Sequence, residues 1–469
     1  MNNGDLLELF HLHQTQQQQQ QQHQNGYEDA PDRSHELLAQ IFVKEHNHEA
    51  RYVPAWDAWM LWDGKRWKKD EQLTTFTWAR KVCRKVANKL NSPSLAAVSP
   101  YESVLKIARS DPSIVATHDQ WNKDLSLLNT PAGTVDLKTG ELNQHNPNDY
   151  ITKITKVAPG KTDCVKWKEH LNLVLSETKE LVDYHQRLFG YCLTGETSEQ
   201  MFAFAWGEGL NGKSITFNTI MKAMGDYAQA AQMETFTATK NEQHPTGLAR
   251  LQGARLVVVS ENEQGKRLRE SIIRTLTGQD PIVARFMRQD EFEYFPEFKL
   301  IMFGNHKPAL SDVGINMKRR LHFLPYTVTI PNDKVDRNFD KVLEQEIAGI
   351  LQWMIEGAAQ WHKDGLKAPD AVVEATDNYF TEQDWFQRFM DECLVSDKNA
   401  FTETKIIVKY QHIWAEANGE WKLRDRDLGD ALEQRGIKHK KTKKQRGYVG
   451  IRISADYLNY LNTPMEERK

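Results

Sequence analysis

The sequence predicts an α/β protein organised around a sheet that carries a phosphate-binding loop. Three observations lead there. Residues 207–214 read GEGLNGKS and satisfy G-x-x-x-x-G-K-S in full. The loop lies between an apolar run, FAFAW, and a segment with helical apolar spacing, ITFNTIMKAMG. Strand, loop and helix patterns then alternate to about residue 330.

A chain of 469 residues is long for one core, so two to four domains are expected. Composition is globular, with 39% hydrophobic and 27% charged residues. No apolar stretch approaches the ~20 residues of a membrane span. MNNGDLLELFHLHQ lacks the basic region and long apolar segment of a secretory leader. A cytoplasmic protein without a membrane partner is expected. Cys83, Cys164, Cys192 and Cys393 are widely spaced, form no C-x-x-C pair, and read as reduced buried thiols.

Along the chain, residues 1–33 include QTQQQQQQQHQNG, which has almost nothing to bury and reads as a disordered tail. A small α+β domain is expected over 34–160. It opens with the serine-capped helix SHELLAQIFVKEH. YVPAWDAWMLWDGKRWKKDE follows as a hairpin around Asp63-Gly64. Its Trp56, Trp59, Trp62 and Trp67 suit a packed core better than base stacking. A helical stretch over about 73–127 precedes the turn-rich LLNTPAGTVDLKTGELNQHNPNDYITK. Residues 161–200 read as helical and 201–335 as the sheet-containing core. The segment 336–395 holds an amphipathic helix at 345–365 that stops at a glycine. In 396–469, two helices precede a strand pair, an order that fits a winged-helix-like module. Its turn, RGIKHKKTKKQR (435–446), contains many cations and no acid. Lys440, Lys441, Lys443 and Lys444 can track a phosphate backbone or simply form a solvated loop.

The candidate nucleotide contacts are Gly207, Glu208, Gly209, Leu210, Asn211, Gly212, Lys213, Ser214 and Ile215. Glycines let backbone N–H groups turn in on phosphate, and the following helix adds its N-terminal dipole. Lys213 reaches phosphate oxygens, and Ser214 offers a hydroxyl to Mg²⁺. Hydrolysis needs an acid on a neighbouring strand, and ARLVVVSENEQG supplies Glu261 and Glu263. Glu261 reads as the metal-side acid and Glu263 as base or solvent-facing. Asn305 ends the apolar run KLIMFG, where its amide can orient water or occupy a turn. Arg319 and Arg320 precede another apolar strand, either as surface charges or as a finger for a neighbouring subunit's phosphate.

With these pieces together the chain resembles superfamily 3 helicases of the phage and plasmid primase-helicase group, related to poxvirus primase-helicases. GEGLNGKS, RLVVVSENEQGKRLRESIIRTLTGQDPIVARFMRQDEFEYFPEFKLIMFGNHKP and KRRLHFLPY carry the likeness, which extends over about residues 35–395. The resemblance implies an AAA+-type P-loop core with a helical collar, using ATP and Mg²⁺. It implies a homo-hexameric ring that moves on single-stranded DNA and opens forked duplex. It makes Lys213 and Ser214 the nucleotide and Mg²⁺ residues, Glu261 the Walker B acid, Asn305 sensor 1, and Arg319 or Arg320 the trans-acting finger. A channel hairpin is implied at 282–295, with Arg285 on the rising strand and Arg288 and Gln289 near the tip. Two departures stand out. Gly278-Gln279-Asp280 replaces a double glycine, and a primase domain common upstream in relatives is not expected here, so a separate primase would make primers. An origin-binding initiator or loader without processive unwinding is the competing expectation. A small-molecule kinase leaves the acidic strand, the asparagine strand and the basic tail without a joint purpose.

Overall fold

The computed structural model describes residues 33–462 except 239–245, 262–266, 289, 311–313, 332, 334 and 442–444. Ser34 starts the first helix, accepting from Leu37 N at 3.1 Å, and α1 runs His35–His46. Strands β1 (Ala50–Val53), β2 (Ala58–Trp62) and β3 (Trp67–Lys69) pair antiparallel in that order, with Trp62 opposite Trp67. Helices α2 (Thr74–Lys89) and α3 (Val98–Ala108) pack with α1 and this sheet into one core. The helical stretch expected over 73–127 is therefore interrupted. Pro93 opens a short 3₁₀ turn between the two helices, and turns predominate beyond Ala108. Trp67 is fully buried and Trp59 nearly so, whereas Trp56 is 44% exposed. A second antiparallel sheet, β4 (Leu127–Thr130), β5 (Gly133–Asp136) and β6 (Leu142–Asn143), sends Leu128 and Val135 into the main core.

Helices α4 (Val165–Val174) and α5 (Lys179–Leu193) divide the next helical segment, because Ser176 and Glu177 both turn left-handed between them. Then follow β7 (Phe202–Trp206), α6 (Lys213–Met224), β8 (Ala228–Ala231), the single turn α7 (Thr246–Ala249) and β9 (Leu256–Glu261). Next come α8 (Glu270–Thr277), the hairpin β10 (Ile282–Ala284) and β11 (Phe292–Tyr294), and β12 (Lys299–Gly304). The single turn α9 (Ile315–Lys318) and β13 (Leu321–Pro325) close the core. Five strands form one parallel sheet in the order β13-β7-β12-β9-β8.

Both faces of this sheet are covered, which is why its strands read as unbroken apolar runs. Ala203, Ala205, Val258, Ile301 and Phe303 face a core shared with α4, α5, α6 and α10 (Phe339–Asp364). Phe202, Phe204, Val257, Val259, Leu300 and Met302 face the opposite core, joined by Tyr379 and Phe380 of α11 (Asp370–Gln383). The amphipathic helix thus begins six residues before the expected 345. The contact between α5 and α10 is very close: a Cβ on Gly190 would lie 2.1 Å from Ala358 N, and one on Gly357 2.0 Å from Gln186 O.

The C-terminal module comprises α12 (Trp385–Cys393), β14 (Leu394–Glu403), α13 (Thr404–Asn418), α14 (Asp425–Gln434), β15 (His439–Lys441), β16 (Arg446–Ile453) and α15 (Ala455–Asn462). Its sheet has the order β14-β16-β15. Phe386, Phe389 and Cys393 share its core with Trp414, Leu428 and Ile451, so its packing starts ahead of residue 396. The strand β14 and the final helix add to the two helices and strand pair expected from the sequence.

Ala in place of Gly190 would favour an isolated helix by about 1 kcal/mol. Its methyl has nowhere to go here, and overpacking against backbone costs about 2–3 kcal/mol. Gly190→Ala should therefore lower the melting temperature, and an unchanged or higher melting temperature would contradict this helix contact.

Candidate functional site

The buried strand β7 delivers the chain directly into the glycine-rich loop. Gly212 caps α6 with φ +77°, and a Cβ there would stand 2.6 Å from Val174 Cγ1 and 2.7 Å from His170 Cε1. Dihedral and space both demand glycine. Lys213 is only 4% exposed. Its Nζ donates to Gly207 O at 2.6 Å, Asn211 Oδ1 at 2.9 Å and Asn305 Oδ1 at 3.2 Å. Burial pulls its pKa down to about 8. Asn211 in turn donates to Glu208 O and, at 3.2 Å, to Tyr326 O just beyond β13. One buried cation therefore ties the loop to the end of β12, and one amide ties it to the end of β13.

Strand β12 lies between β7 and β9, with Gly304 in register with Trp206 on one side and Glu261 on the other. Asn305 follows Gly304, so the loop, Asn305 and the backbone of Glu261 share one edge of the sheet. At about 4.8 Å per strand, that edge spans about 10 Å from β7 to β9. Glu263 lies outside the described residues. Trp206 Nε1 donates to Asn305 O at 3.1 Å, and Lys307 Nζ sits 4.6 Å from the Trp206 ring centre while pairing with Glu382 at 2.5 Å.

A cavity of about 310 Å³ opens at this edge, lined by residues 209–215 together with Ser260, Phe303, Gly304 and Asn305. The first N–H groups of α6 have no intrahelical acceptor, and the buried ammonium adds a full charge beside them. This donor set fits an anion of the polyphosphate type. The Ser214 hydroxyl supplies the hard oxygen that suits Mg²⁺, which is usually bound by few protein oxygens plus phosphate. Among the described residues, no group of three or more His, Cys, Asp or Glu side chains is placed to hold a metal unaided. All four cysteines are buried and unpaired.

His170 escaped sequence reasoning. Its Nε2 donates to Thr216 Oγ1 at 2.9 Å, and that hydroxyl donates to Gly212 O at 3.0 Å. Burial depresses its pKa to about 4, which keeps the ring neutral. Nothing in the local pattern VKWKEHLNLV marks this histidine, because its partner lies 46 residues away.

The paired arginines separate sharply. Arg320 is buried, donating Nε to Thr277 Oγ1 at 3.1 Å and Nη1 to Asn316 O at 2.9 Å. Arg319 is exposed. Both precede Leu321, which pairs with Phe202 at the start of β7, so they stand at the far end of the sheet from their own phosphate loop. In the hairpin, Ala284 pairs with Phe292, so Arg285 falls just past β10 rather than on it. Arg285 approaches Glu291 at 4.0 Å. Arg288 turns left-handed beside Met287, which is 68% exposed, and Gln289 is outside the described residues. Lys440 and Lys441 are exposed on β15, whereas Lys443 and Lys444 are outside the described residues. Arg435 of the same basic run is committed elsewhere: it pairs with both Asp384 oxygens, at 2.6 and 2.9 Å.

A family model described as D5 N terminal like matches residues 39–176, and one for a family of unknown function (DUF5906) matches 205–320. A protein named as a putative helicase in Acanthamoeba polyphaga mimivirus is 24% identical over 352 residues, covering 69% of this chain and 36% of its own length. Another so named, from Frog virus 3 (isolate Goorha), is 24% identical over 298 residues, covering 58% of this chain and 29% of its own. The chain thus spans about a third of the length of the curated relatives it matches. The apo structure of the NrS-1 C terminal region aligns over 88% of this chain and 98% of its own, with 10% identity and a TM-score of 0.49. The chain is thus similar, over residues 39–176, to the D5 N terminal like family, and more widely to viral proteins named as putative helicases. No helix among the described residues is long and apolar enough to cross a membrane.

The depressed Lys213 pKa has a measurable consequence. Phosphate binding requires the ammonium form, so above about pH 8 the free protein must take up a proton to bind. Affinity for inorganic tripolyphosphate should be flat from pH 7 to 8 and then fall, by up to about tenfold per pH unit, until the pKa of the bound state is passed. Calorimetric titration at pH 7, 8 and 9 tests this, and equal affinity at all three would refute it.

Proposed function

We propose that this chain is an ATP-hydrolysing DNA helicase of superfamily 3. Its AAA+-type subunits form a homo-hexameric ring with nucleotide between neighbours, and hydrolysis moves inner hairpins along single-stranded DNA to open forked duplex. The separation of the phosphate loop from Arg319 carries this reading. From the start of β13 to the loop-proximal end of β7 is four strand steps, about 13 Å of extended chain. An exposed arginine at that far edge suits the phosphates of an adjacent copy better than its own. Arg320, buried and hydrogen-bonded, suits holding β13 in position.

In this mechanism Gly207 to Ile215 wrap the triphosphate, and Lys213 neutralises its oxygens. Ser214 and Glu261 would hold Mg²⁺, which when bound offsets charge on the phosphates. Asn305, already hydrogen-bonded to Lys213, is suited to orient the attacking water or sense the γ-phosphate. Glu261 takes the role of the metal-side carboxylate, with Glu263 as the base that activates water. The exposed hairpin tip with Met287 and Arg288 supports a DNA-facing role for Arg285, Arg288 and Gln289. A winged-helix-like reading of the C-terminal module gives Lys440, Lys441, Lys443 and Lys444 phosphate contacts. A collar built of α4 and α5 fits their packing beneath the sheet.

A forked-duplex assay tests the motor directly. Wild type should displace strand with ATP, Lys213→Ala should lose turnover, and Glu261→Gln should bind ATP without turning it over. Ring loading or origin melting by wild type without strand displacement would favour an initiator instead. Arg319→Ala should lose at least about tenfold in turnover with nucleotide affinity retained, whereas Arg320→Ala should chiefly lower thermal stability. Mixing Arg319→Ala with Glu261→Gln subunits should restore turnover to roughly a quarter of wild type, because random assembly leaves that share of interfaces with both halves intact. No recovery would count against a finger acting between subunits.

A further inference from the structure

The edge of the C-terminal sheet gathers positive charge on β15 and the start of β16. Several cations elsewhere in the module are paired with acids: Arg424 with Asp427 at 2.8 Å, Lys405 with Glu403 at 2.6 Å, Arg452 with Asp397 at 3.3 Å, and Arg435 with Asp384. Lys438, Lys440, Lys441 and Arg446 are exposed and have no acidic partner among the described residues. We propose that the ribbon β15–β16 holds duplex DNA by its phosphates, and that α14 stays off the DNA, so the module binds without reading bases. This rests on the DNA reading of the module and adds the form of DNA, the element that touches it and the lack of sequence preference.

Three observations support it. The first is register: β15 pairs with β16 so that Lys441 stands directly opposite Arg446. Like charges facing each other across a ladder are destabilising, and an anion lying against both relieves them. Lys440 projects from the other face of the strand, opposite Gly447, which has no side chain to cover it. Cations on both faces of a two-stranded ribbon suit the two phosphate walls of a groove, which only a duplex presents. The second is the lack of a stacking platform. Single strands are held by aromatic faces on which bases stack, but the rings of this ladder, His439 and Tyr448, pack edge on each other at 5.2 Å, and Tyr448 is buried.

The third is the charge of α14. It follows α13 as the second helix of a pair, the position that enters the major groove in helix–turn–helix modules. Yet α14 carries Asp425, Asp427, Asp430 and Glu433 against a single cation, Arg426. Asp425, Asp430 and Glu433 are exposed. In a groove they would face duplex phosphates at about one negative charge per 1.7 Å of axis. Burial raises the pKa of the Tyr448 hydroxyl, and Glu433, Asp430 and Asp425 raise it further, so these acids gather toward β16. Tyr448 pairs with His439, two residues or about 7 Å before the step where Lys441 meets Arg446. The acidic helix therefore borders the base of the ribbon and leaves its outer end to the cations.

The test uses the full chain without nucleotide on blunt DNA duplexes of about two helical turns, which offer the 282–295 hairpin no free strand. Lys441→Ala combined with Arg446→Ala should weaken binding equally for unrelated sequences and lower the slope of log affinity against log salt by about two. If that pair lowers the melting temperature, Lys440→Ala decides, with a slope lowered by about one. An unchanged slope in the deciding variant would overturn the ribbon contact. Asp430→Asn with Glu433→Gln should change affinity by less than about threefold, and a larger gain would put α14 on the DNA. Duplexes retained from a randomised pool should show no enriched motif when sequenced, and an enriched motif would overturn binding by phosphates alone. A wild-type chain that binds no duplex at low salt would overturn the DNA reading of the module itself.

Discussion

An ammonium with almost no access to water must find its acceptors in the protein, and the neighbourhood of Lys213 is organised by that need. Its nearer acceptors come from the loop's first carbonyl, from Asn211, and from Asn305 just past β12, with Glu208 O at 3.5 Å. Each is fixed by something larger. Gly207 lies against Tyr326 so closely that a side chain could not fit, Asn211 bonds that same residue, and Asn305 is set by a strand paired on both sides. Removing any of these supports leaves a buried charge short of partners, which costs far more than the bond removed. The same acceptors are weaker partners than phosphate, so the cage also holds the cation ready for exchange.

Much of this was legible from the sequence because it is local. Strand–loop–helix at 202–224 follows from apolar patterning and glycine spacing alone, and the strand preceding Asn305 is an unbroken apolar run buried on both faces. What could not be read was long-range. The order of strands in the sheet decides that Asn305, rather than Glu261, neighbours the loop strand, and no segment of sequence encodes that order by itself. His170 belongs to a helix whose pattern explains it adequately as a core residue; its bond to Thr216 exists only once α4 packs on α6. The break at Ser176 and Glu177 was also hidden, since neither residue is a usual helix terminator and both adopt left-handed turns.

Charge behaved in the same way. Arg319 and Arg320 are chemically identical neighbours, yet one is exposed and the other is embedded between Thr277 and Asn316. Arg435 sits in a run that looks uniformly basic, but its guanidinium is spent on Asp384, which also caps α12 through Gln387 N at 3.0 Å. That pair joins the end of α14 to the start of α12, and the run 435–446 has one fewer free cation than the sequence suggests.

The glycine contact between α5 and α10 has a mechanical side. Helices that touch through backbone have no compliant side chains between them to absorb displacement. Helix α10 has 26 residues and so extends about 39 Å from Phe339. By plain lever geometry, a rotation of about 5° about one end of such a rod carries the other through about 3 Å. A stiff pair pinned at Gly190 and Gly357 would carry such a rotation along the length of α10 instead of dissipating it in local repacking.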